Sequence, residues 1–223
     1  MRNLILLAAA LMTAHISTAQ WSMGPKVEYS VTNVTVDGVA DLAPDPEFMN
    51  NYSLGVYANY DFGQGFSIQP ELLFKQKGFV IREDFPVNIF EFEIPVGVEA
   101  RTRIKYLELP VMARYSFGEK IKGYIEGGPA LGYAVDADIK ERAHLLVDIN
   151  IGEQDIDLQN DLYNRWEASG IVGAGMSIPA GQVTFDLGVR YQHSITDLLD
   201  DPIIDIRLRN YGVSFGAGVK YKF

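Results

Sequence analysis

The sequence predicts an all-β protein, an eight-stranded antiparallel up-and-down transmembrane β-barrel of a bacterial outer membrane. Three observations support this prediction: strand-length segments with a two-residue period, connections that alternate between short and long, and an aromatic C-terminal residue. The last segment, Tyr211 to Phe223, shows the first and third most clearly. Its thirteen residues alternate between an apolar, aromatic face and a small or cationic face, and this length suits a tilted strand that crosses a bilayer.

The N-terminus has the features of a secretory signal peptide. Arg2 is the only charge in the first twenty residues, Leu4 to Met12 form a short apolar core, and the small residues Ser17, Thr18 and Ala19 precede a cleavage point. An apolar run of about nine residues is too short for a membrane-spanning helix. We expect residues 1–19 to be the signal peptide and residues 20–223 to form one barrel domain.

Composition narrows the class of protein further. The chain has 12 Tyr, 12 Phe and 21 Gly, which favours aromatic strands punctuated by glycine over helices. It has no cysteine, which excludes disulfides and a lipoprotein anchor. The formal charge is −10 and no basic stripe is present, so nucleic acid is not an expected partner.

A two-residue period defines the eight predicted strands and the connections between them. The strands are expected at about 21–33, 51–62, 66–80, 102–117, 121–136, 164–178, 182–192 and 211–223. Tight turns are expected at 63–65, 118–120 and 179–181, and long loops at 34–50, 82–101, 137–164 and 193–209. With both termini on one side, every short turn faces the periplasm and every long loop faces outside, as in outer-membrane barrels.

The less apolar face of the predicted strands carries charges of both signs. A soluble barrel could expose such a face to water, but the aromatic opposite face, the signal peptide and the terminal Phe223 favour the membrane barrel. Eight strands enclose a space that side chains fill, and buried charges require partners. We therefore expect a lumen plugged by an interior charge network of Glu28, Glu71, Glu108, Arg114, Glu126, Glu167, Asp186, Arg190 and Lys220.

Candidate catalytic residues are few. The cluster His193, Ser194 and Asp197 resembles a Ser-His-acid set, but adjacent residues of a strand point to opposite faces, which opposes a His193–Ser194 hydrogen bond. His144 has no nucleophile motif or metal-ligand spacing near it. We expect no catalytic, cofactor-binding or metal-binding residues.

The predicted long loops are strongly acidic. They contain 20 of the 29 Asp and Glu residues, and six basic residues leave them with a charge of about −14. A calcium-loop template started at Asp155 finds Asn160 in place of the central glycine and Trp166 in place of the closing glutamate. Solvated acidic loops are the expected state, and the alternative is weak binding of divalent cations that bridge to lipopolysaccharide phosphates. The third loop could also form a hairpin or a short helix above the membrane.

Several short motifs resemble the PorT-type outer-membrane β-barrel family, which is of the OmpA/OmpX-like kind. Tyr106-Leu107-Glu108-Leu109-Pro110 with Tyr115 is followed by Tyr124, Gly127-Gly128-Pro129 and Tyr133. Gln69-Pro70-Glu71-Leu72 with Lys77-Gly78, and Arg190-Tyr191, fit the same pattern. The resemblance covers the whole mature chain and implies an eight-stranded barrel. The founding member of that family is linked to a protein-secretion machine, but no residue here carries over that role. Pro70, Pro110 and Pro129 lie inside predicted strands, where we expect β-bulges.

The sequence thus favours a non-enzymatic outer-membrane protein with a structural, adhesive or secretion-accessory role. Two alternatives stay open: a lipid-modifying enzyme that uses His193 and Ser194, and a small-solute channel. The expected partners are outer-membrane lipid and lipopolysaccharide, the barrel-assembly machinery through the terminal signal Tyr221 and Phe223, and a protein bound by the extracellular loops.

Overall fold

The architecture is known from a computed structural model that describes residues 20–38, 45–89, 92–144, 148–155, 164–198 and 206–223. The proposed signal peptide lies outside these residues. No helix in the described ranges is long and apolar enough to cross a membrane. The strands are β1 (Gln20–Gly38), β2 (Glu47–Gly63), β3 (Phe66–Ile89), β4 (Phe92–Phe117), β5 (Lys122–His144), β6 (Asp148–Asp155), β7 (Trp166–Ala180), β8 (Val183–Ser194) and β9 (Ile206–Lys222).

Eight of these strands close into a ring, as the sequence predicts. Each pairs antiparallel with its neighbour in the chain, except that β5 pairs with β7 and β9 closes the ring against β1. The closing register runs from Ser22 opposite Lys222 to Gly38 opposite Ile206. Closure gives every strand of the barrel two hydrogen-bonded neighbours, which removes free sheet edges.

Short turns join strands at the end of the barrel where β1 begins and β9 ends. Gly63, Gln64 and Gly65 all have positive φ, between 55° and 87°, a conformation that favours glycine. The turn after β7 lies at Gly181 and Gln182, slightly later than predicted, because Pro179 and Ala180 remain paired with β8. We call this end of the barrel the turn side.

The opposite end differs from the prediction. Residues 82–89 and 92–101 do not form a loop, because β3 and β4 stay paired until Ile89 meets Phe92. The sequence contains the signal for this extension, since Phe92, Ile94, Val96 and Val98 alternate with polar or small residues. The charged and proline residues around them made the segment resemble a loop.

Residues 148–155 add a ninth strand beyond the barrel wall. This strand, β6, pairs antiparallel with Asp138–His144 of β5. Of the two possibilities for the third long loop, a hairpin or a short helix, the structure therefore shows the hairpin. Together, residues 81–89, 92–105, 136–144 and 148–155 form a four-stranded sheet that continues the barrel wall. We call these residues the projecting sheet.

The outer surface of the ring is apolar and bordered by aromatic side chains at both ends. On the turn side, Trp21 contacts Tyr60 and Phe66 contacts Tyr115, each pair with ring centroids 4.8 Å apart. At the far end, Tyr29 contacts Tyr52 with centroids 5.4 Å apart. Eight residues separate the two belts along β1, roughly 26 Å of strand. At the usual strand tilt this spans roughly 20 Å of membrane, close to the ~25 Å apolar band of outer-membrane barrels.

The prolines inside the strands do not mark bulges, so that expectation was wrong. Around Pro70 the β2–β3 pairing is interrupted between Tyr57–Glu71 and Tyr60–Ile68, yet the register on both sides is the same. The pairing around Pro110 likewise resumes in unchanged register. A missing N–H interrupts the ladder without inserting a residue, whereas a real register shift occurs between Lys105 and Tyr106.

Two adjacent glycines of β5 provide a test of how closely β4 and β5 approach. A Cβ on Gly128 would lie 2.0 Å from the carbonyl oxygen of Val111, whereas a Cβ on Gly127 would find its nearest neighbour at 3.6 Å. We predict that Gly128→Ala lowers the free energy of unfolding by about 1–3 kcal/mol because the backbones must separate. Gly127→Ala is the matched control and changes it by less than about 1 kcal/mol.

Urea titration of the refolded protein in detergent micelles, monitored by tryptophan fluorescence, measures both values. Equal stability of the two variants would contradict the close approach of β4 and β5.

Candidate functional site: the charged interior of the barrel

Among the described residues, a cluster of six acidic and six basic side chains occupies the interior of the ring, apart from the buried carboxylates of Glu99 and Asp138 in the projecting sheet. Eleven are buried, and the side chain of Lys220 is 11% exposed. Strand alternation directs them inward from β1, β3, β4, β5, β7, β8 and β9. We call this set the interior network: Lys26, Glu28, Glu71, Lys75, Lys77, Glu108, Arg114, Glu126, Glu167, Asp186, Arg190 and Lys220.

Arg190 of β8 lies at the centre of the network and joins three strands. Its guanidinium donates two hydrogen bonds to the Glu71 carboxylate at 2.7 and 2.8 Å, and its Nε donates to Glu126 at 2.6 Å. It also lies 3.5 Å from Glu28. Lys26 completes this region with Nζ–oxygen distances of 2.8 Å to Glu28 and 2.9 Å to Glu71. These contacts tie opposite parts of the barrel wall together.

The turn-side part of the network is organised by Arg114 and Asp186. Arg114 pairs with Glu126 at 2.8 Å and stacks over the Tyr124 ring at 3.7 Å from the centroid. Asp186 lies 2.9 Å from the Lys220 ammonium and accepts a hydrogen bond from the Tyr57 hydroxyl at 2.7 Å. Each charged group here has an opposite charge beside it.

The other part of the network is built around Glu108. Lys77 lies 2.6 Å from Glu108 and also pairs with Glu167. Lys75 lies 3.4 Å from Glu108 and donates to the Gln192 side chain at 2.7 Å. Because Lys75 also lies 3.4 Å from Glu28, this part is continuous with the region around Arg190.

Charge balance follows from this inventory. The interior network has equal numbers of carboxylates and cations, so its net formal charge is zero. An unpaired charge in such a site would be strongly unfavourable. The two cavities among the network side chains measure about 10 and 20 Å³, enough for about one water molecule each.

The structure places all nine sequence-predicted interior residues in this network and adds Lys26, Lys75 and Lys77. The added lysines share the strand parity of Glu28 and Glu71, so alternation alone could have found them. The predicted set had six acids and only three bases. That imbalance was the available signal that basic residues had been missed.

Another ion pair lies where the projecting sheet begins. Lys105 of β4 donates a hydrogen bond to Asp136 of β5 at 2.5 Å, beside the register shift. The hydrogen bond from Lys105 lowers the pKa of the Asp136 carboxyl below its usual value, and the same hydrogen bond raises the pKa of the Lys105 ammonium. Both side chains are partly exposed to solvent, so the pair adds little stability.

The residues of the catalytic alternative do not come together. Ser194 is buried and donates to the carbonyl of Thr196 at 2.9 Å, whereas the His193 ring lies 3.4 Å from the Tyr191 hydroxyl on the outer surface. Asp197 pairs with Arg209 at 2.7 Å. The arrangement therefore lacks the hydrogen-bonded nucleophile and base of a catalytic triad.

Metal binding has no candidate site in the described ranges, where no three His, Asp or Glu residues are grouped to hold an ion. The calcium-loop template from Asp155 extends into residues outside the described part. The His144 side chain is outside it as well. Tyr221 and Phe223 of the proposed insertion signal lie on the exposed face with ring centroids 5.5 Å apart.

The central position of Arg190 leads to a stability prediction. Arg190→Gln removes the cation shared by two buried carboxylates and should lower the free energy of unfolding by about 3–5 kcal/mol. Arg209→Gln is a matched control, because its pair with Asp197 is about one third exposed and is worth about 1 kcal/mol or less.

Urea unfolding in detergent micelles at neutral pH measures the two changes. Similar losses in both variants would show that the interior pairing does not contribute as proposed.

Comparisons with known proteins agree with this geometry. The family model described as outer membrane protein beta-barrel domain matches residues 14–200. No curated protein matches the chain. Among solved structures, the chain is similar to Ail, the attachment invasion locus protein of Yersinia pestis, with 14% identity, coverage of 92% of this chain and 99% of that chain, and a TM-score of 0.38.

Two further solved structures show the range of similar barrels. OprG from Pseudomonas aeruginosa has 9% identity, coverage of 92% and 96% of the two chains, and a TM-score of 0.41. The outer membrane enzyme PagL has 13% identity, coverage of 85% and 97%, and a TM-score of 0.30. At these scores the structures carry no argument about activity, and the family model decides the assignment. The chain belongs to the family of outer membrane protein beta-barrel domains and is an integral protein of the bacterial outer membrane.

Proposed function

We propose that this protein is a non-enzymatic barrel with a plugged lumen, whose projecting sheet and loops bind a partner outside the cell. Its role is then adhesive, structural or accessory to secretion. The observation that carries this proposal is the combination of a filled interior with a sheet that extends past the outer aromatic belt.

The filled interior argues against transport through the barrel. Salt bridges join facing walls at three levels, through Arg114 with Asp186, Arg190 with Glu71, and Lys77 with Glu167. The cavities of about 10 and 20 Å³ between them are too small for a hydrated solute. Opening a path would require several buried ion pairs to separate together, which is unfavourable.

The projecting sheet supports a binding role because β6 pairs only with β5 among the described residues. Its other edge has backbone donors and acceptors that an extended partner segment could use, as in β-strand addition. The segments of the chain at this end, including the strands of the projecting sheet, carry most of its acidic residues. We therefore propose a protein partner with a basic surface, since complementary charge speeds association and selects partners.

The lipid partners are proposed from the outer aromatic belt. Tyr133 and Trp166 contact each other with ring centroids 4.8 Å apart, and the Arg165 guanidinium lies 4.7 Å from the Tyr133 centroid. Aromatic rings at an interface, with a cation beside them, suit the headgroup region of the outer leaflet. We propose that lipopolysaccharide packs against this belt. We also propose that the barrel-assembly machinery recognises Tyr221 and Phe223 during insertion.

The PorT-type resemblance supports a secretion-accessory role as the more specific form of the proposal. Its motifs fall on β3, β4, β5 and β8, and they include Glu71, Glu108 and Arg190 of the interior network. These residues account for barrel stability. A secretion role would therefore depend on the surfaces outside the network.

Planar-bilayer recording tests the plugged lumen. We predict that the refolded wild-type protein gives no reproducible conductance steps, because paired side chains fill the interior. Lys77→Ala with Glu108→Ala removes an ion pair of 2.6 Å and keeps the network's net charge at zero, while Glu167, which loses its lysine partner, keeps its hydrogen bond from Asn210. This variant should give brief openings, which would show that the assay can detect them. Regular steps in the wild type would overturn the proposal in favour of a channel.

Cross-linking on intact cells tests the binding role of the projecting sheet. We predict that replacing residues 145–155 with a short Gly-Ser turn abolishes capture of a specific partner, because β6 supplies the free edge. Shortening the connection at 199–205 is the matched control and should leave capture unchanged. Equal capture by the wild type and the β6 deletion would contradict the role assigned to this edge.

A further inference from the structure

A polar cavity of about 330 Å³ lies at the turn side of the barrel, below the interior network. We call it the turn-side vestibule. Four cationic side chains line it, Arg114, Lys122, Lys220 and Lys222, together with one carboxylate, Asp61. Most of the remaining lining consists of hydroxyl, amide and glycine residues. In the outer membrane, this end of the barrel faces the periplasm.

Arg114 separates the vestibule from the interior network and is already paired inside the barrel. Its Nε and Nη2 atoms donate to Glu126, at 3.1 and 2.8 Å. Its Nη1 atom is buried and lies 3.5 Å from a carboxylate oxygen of Asp186. The cations available to a ligand are therefore the lysines at the mouth of the vestibule.

The mouth of the vestibule adds charge that the interior network does not compensate. Lys220 is paired with Asp186 at 2.9 Å. Lys122 and Lys222 are exposed and form no ion pair with any residue in the described ranges. These two ammonium groups exceed the single negative charge of Asp61 in a recess with low-dielectric walls, which concentrates the positive potential.

We propose that the turn-side vestibule binds a phosphate-class oxyanion from the periplasm. Lys122 of β5 and Lys222 of β9 hold the anion from two sides of the mouth, and hydroxyl groups of the lining, such as those of Ser22 and Ser116, donate to its other oxygens. A tetrahedral anion has several acceptor oxygens and can meet donors from different walls at once. The cavity has room for the anion and ordered water, or for a small phosphate monoester. This inference is independent of the partner-binding role of the projecting sheet.

Nuclear magnetic resonance on the isotope-labelled, refolded protein in octyl glucoside micelles tests the proposal, because this detergent contains no phosphate. Inorganic phosphate is titrated against sodium chloride at matched ionic strength. We expect saturable shifts of backbone amides around the vestibule, including those of Ser22 and Ser116. In Lys122→Gln with Lys222→Gln, the dissociation constant should rise about five-fold or more.

Lys120→Gln is the matched control, since Lys120 lies in the same turn region but does not line the vestibule. Its affinity for phosphate should equal that of the wild type. Glycerol 3-phosphate is titrated in parallel. Tighter binding of glycerol 3-phosphate than of inorganic phosphate indicates a monoester ligand, and equal or weaker binding indicates the free anion. Absence of saturable shifts, shifts reproduced by chloride, or an unchanged affinity in the double variant would overturn the proposal.

Discussion

The pairing of Arg190 with Glu71 and Glu126 is the interaction on which the rest of the structure depends. A closed eight-stranded ring has an interior that its own side chains must fill, and here that filling is charged. One guanidinium from β8 contacts carboxylates on β3 and β5. Because the network around it has equal numbers of acidic and basic groups, each buried charge has a partner. The large free-energy cost of burying an unpaired charge is thereby avoided.

This filling assigns different roles to the two ends of the barrel. The middle has room for little more than single water molecules, so chemistry that requires space must occur elsewhere. On the turn side, the network stops short of the mouth and leaves a cationic recess. At the other end, β3, β4 and β5 continue past the aromatic belt and acquire β6 as a partner. Both proposals about binding follow from this division.

Much of the barrel could be predicted from local pattern, and the failures have physical causes. Alternation assigned the inward parity of Glu108 and Arg114 correctly because side chains on a strand have a period of two. The same rule directs Lys75 and Lys77 inward, and the excess of acids over bases in the predicted network indicates that further cations are required. The loop prediction at 82–101 failed because acidic residues and prolines resemble loop signals, whereas backbone pairing between β3 and β4 continues regardless of side-chain polarity.

The sequence by itself determined which residues of each strand share a face, because that depends only on parity. The aromatic residues of one face, the signal-like N-terminus and the terminal Phe223 together indicated that this face meets lipid. The sequence also determined that the closing strand ends with an aromatic residue at the turn side. The tertiary structure alone decided which charges pair, since Arg190 and Glu71 are 119 residues apart and meet only after closure sets the register of all the strands. It likewise decided that the cations of the vestibule share one recess.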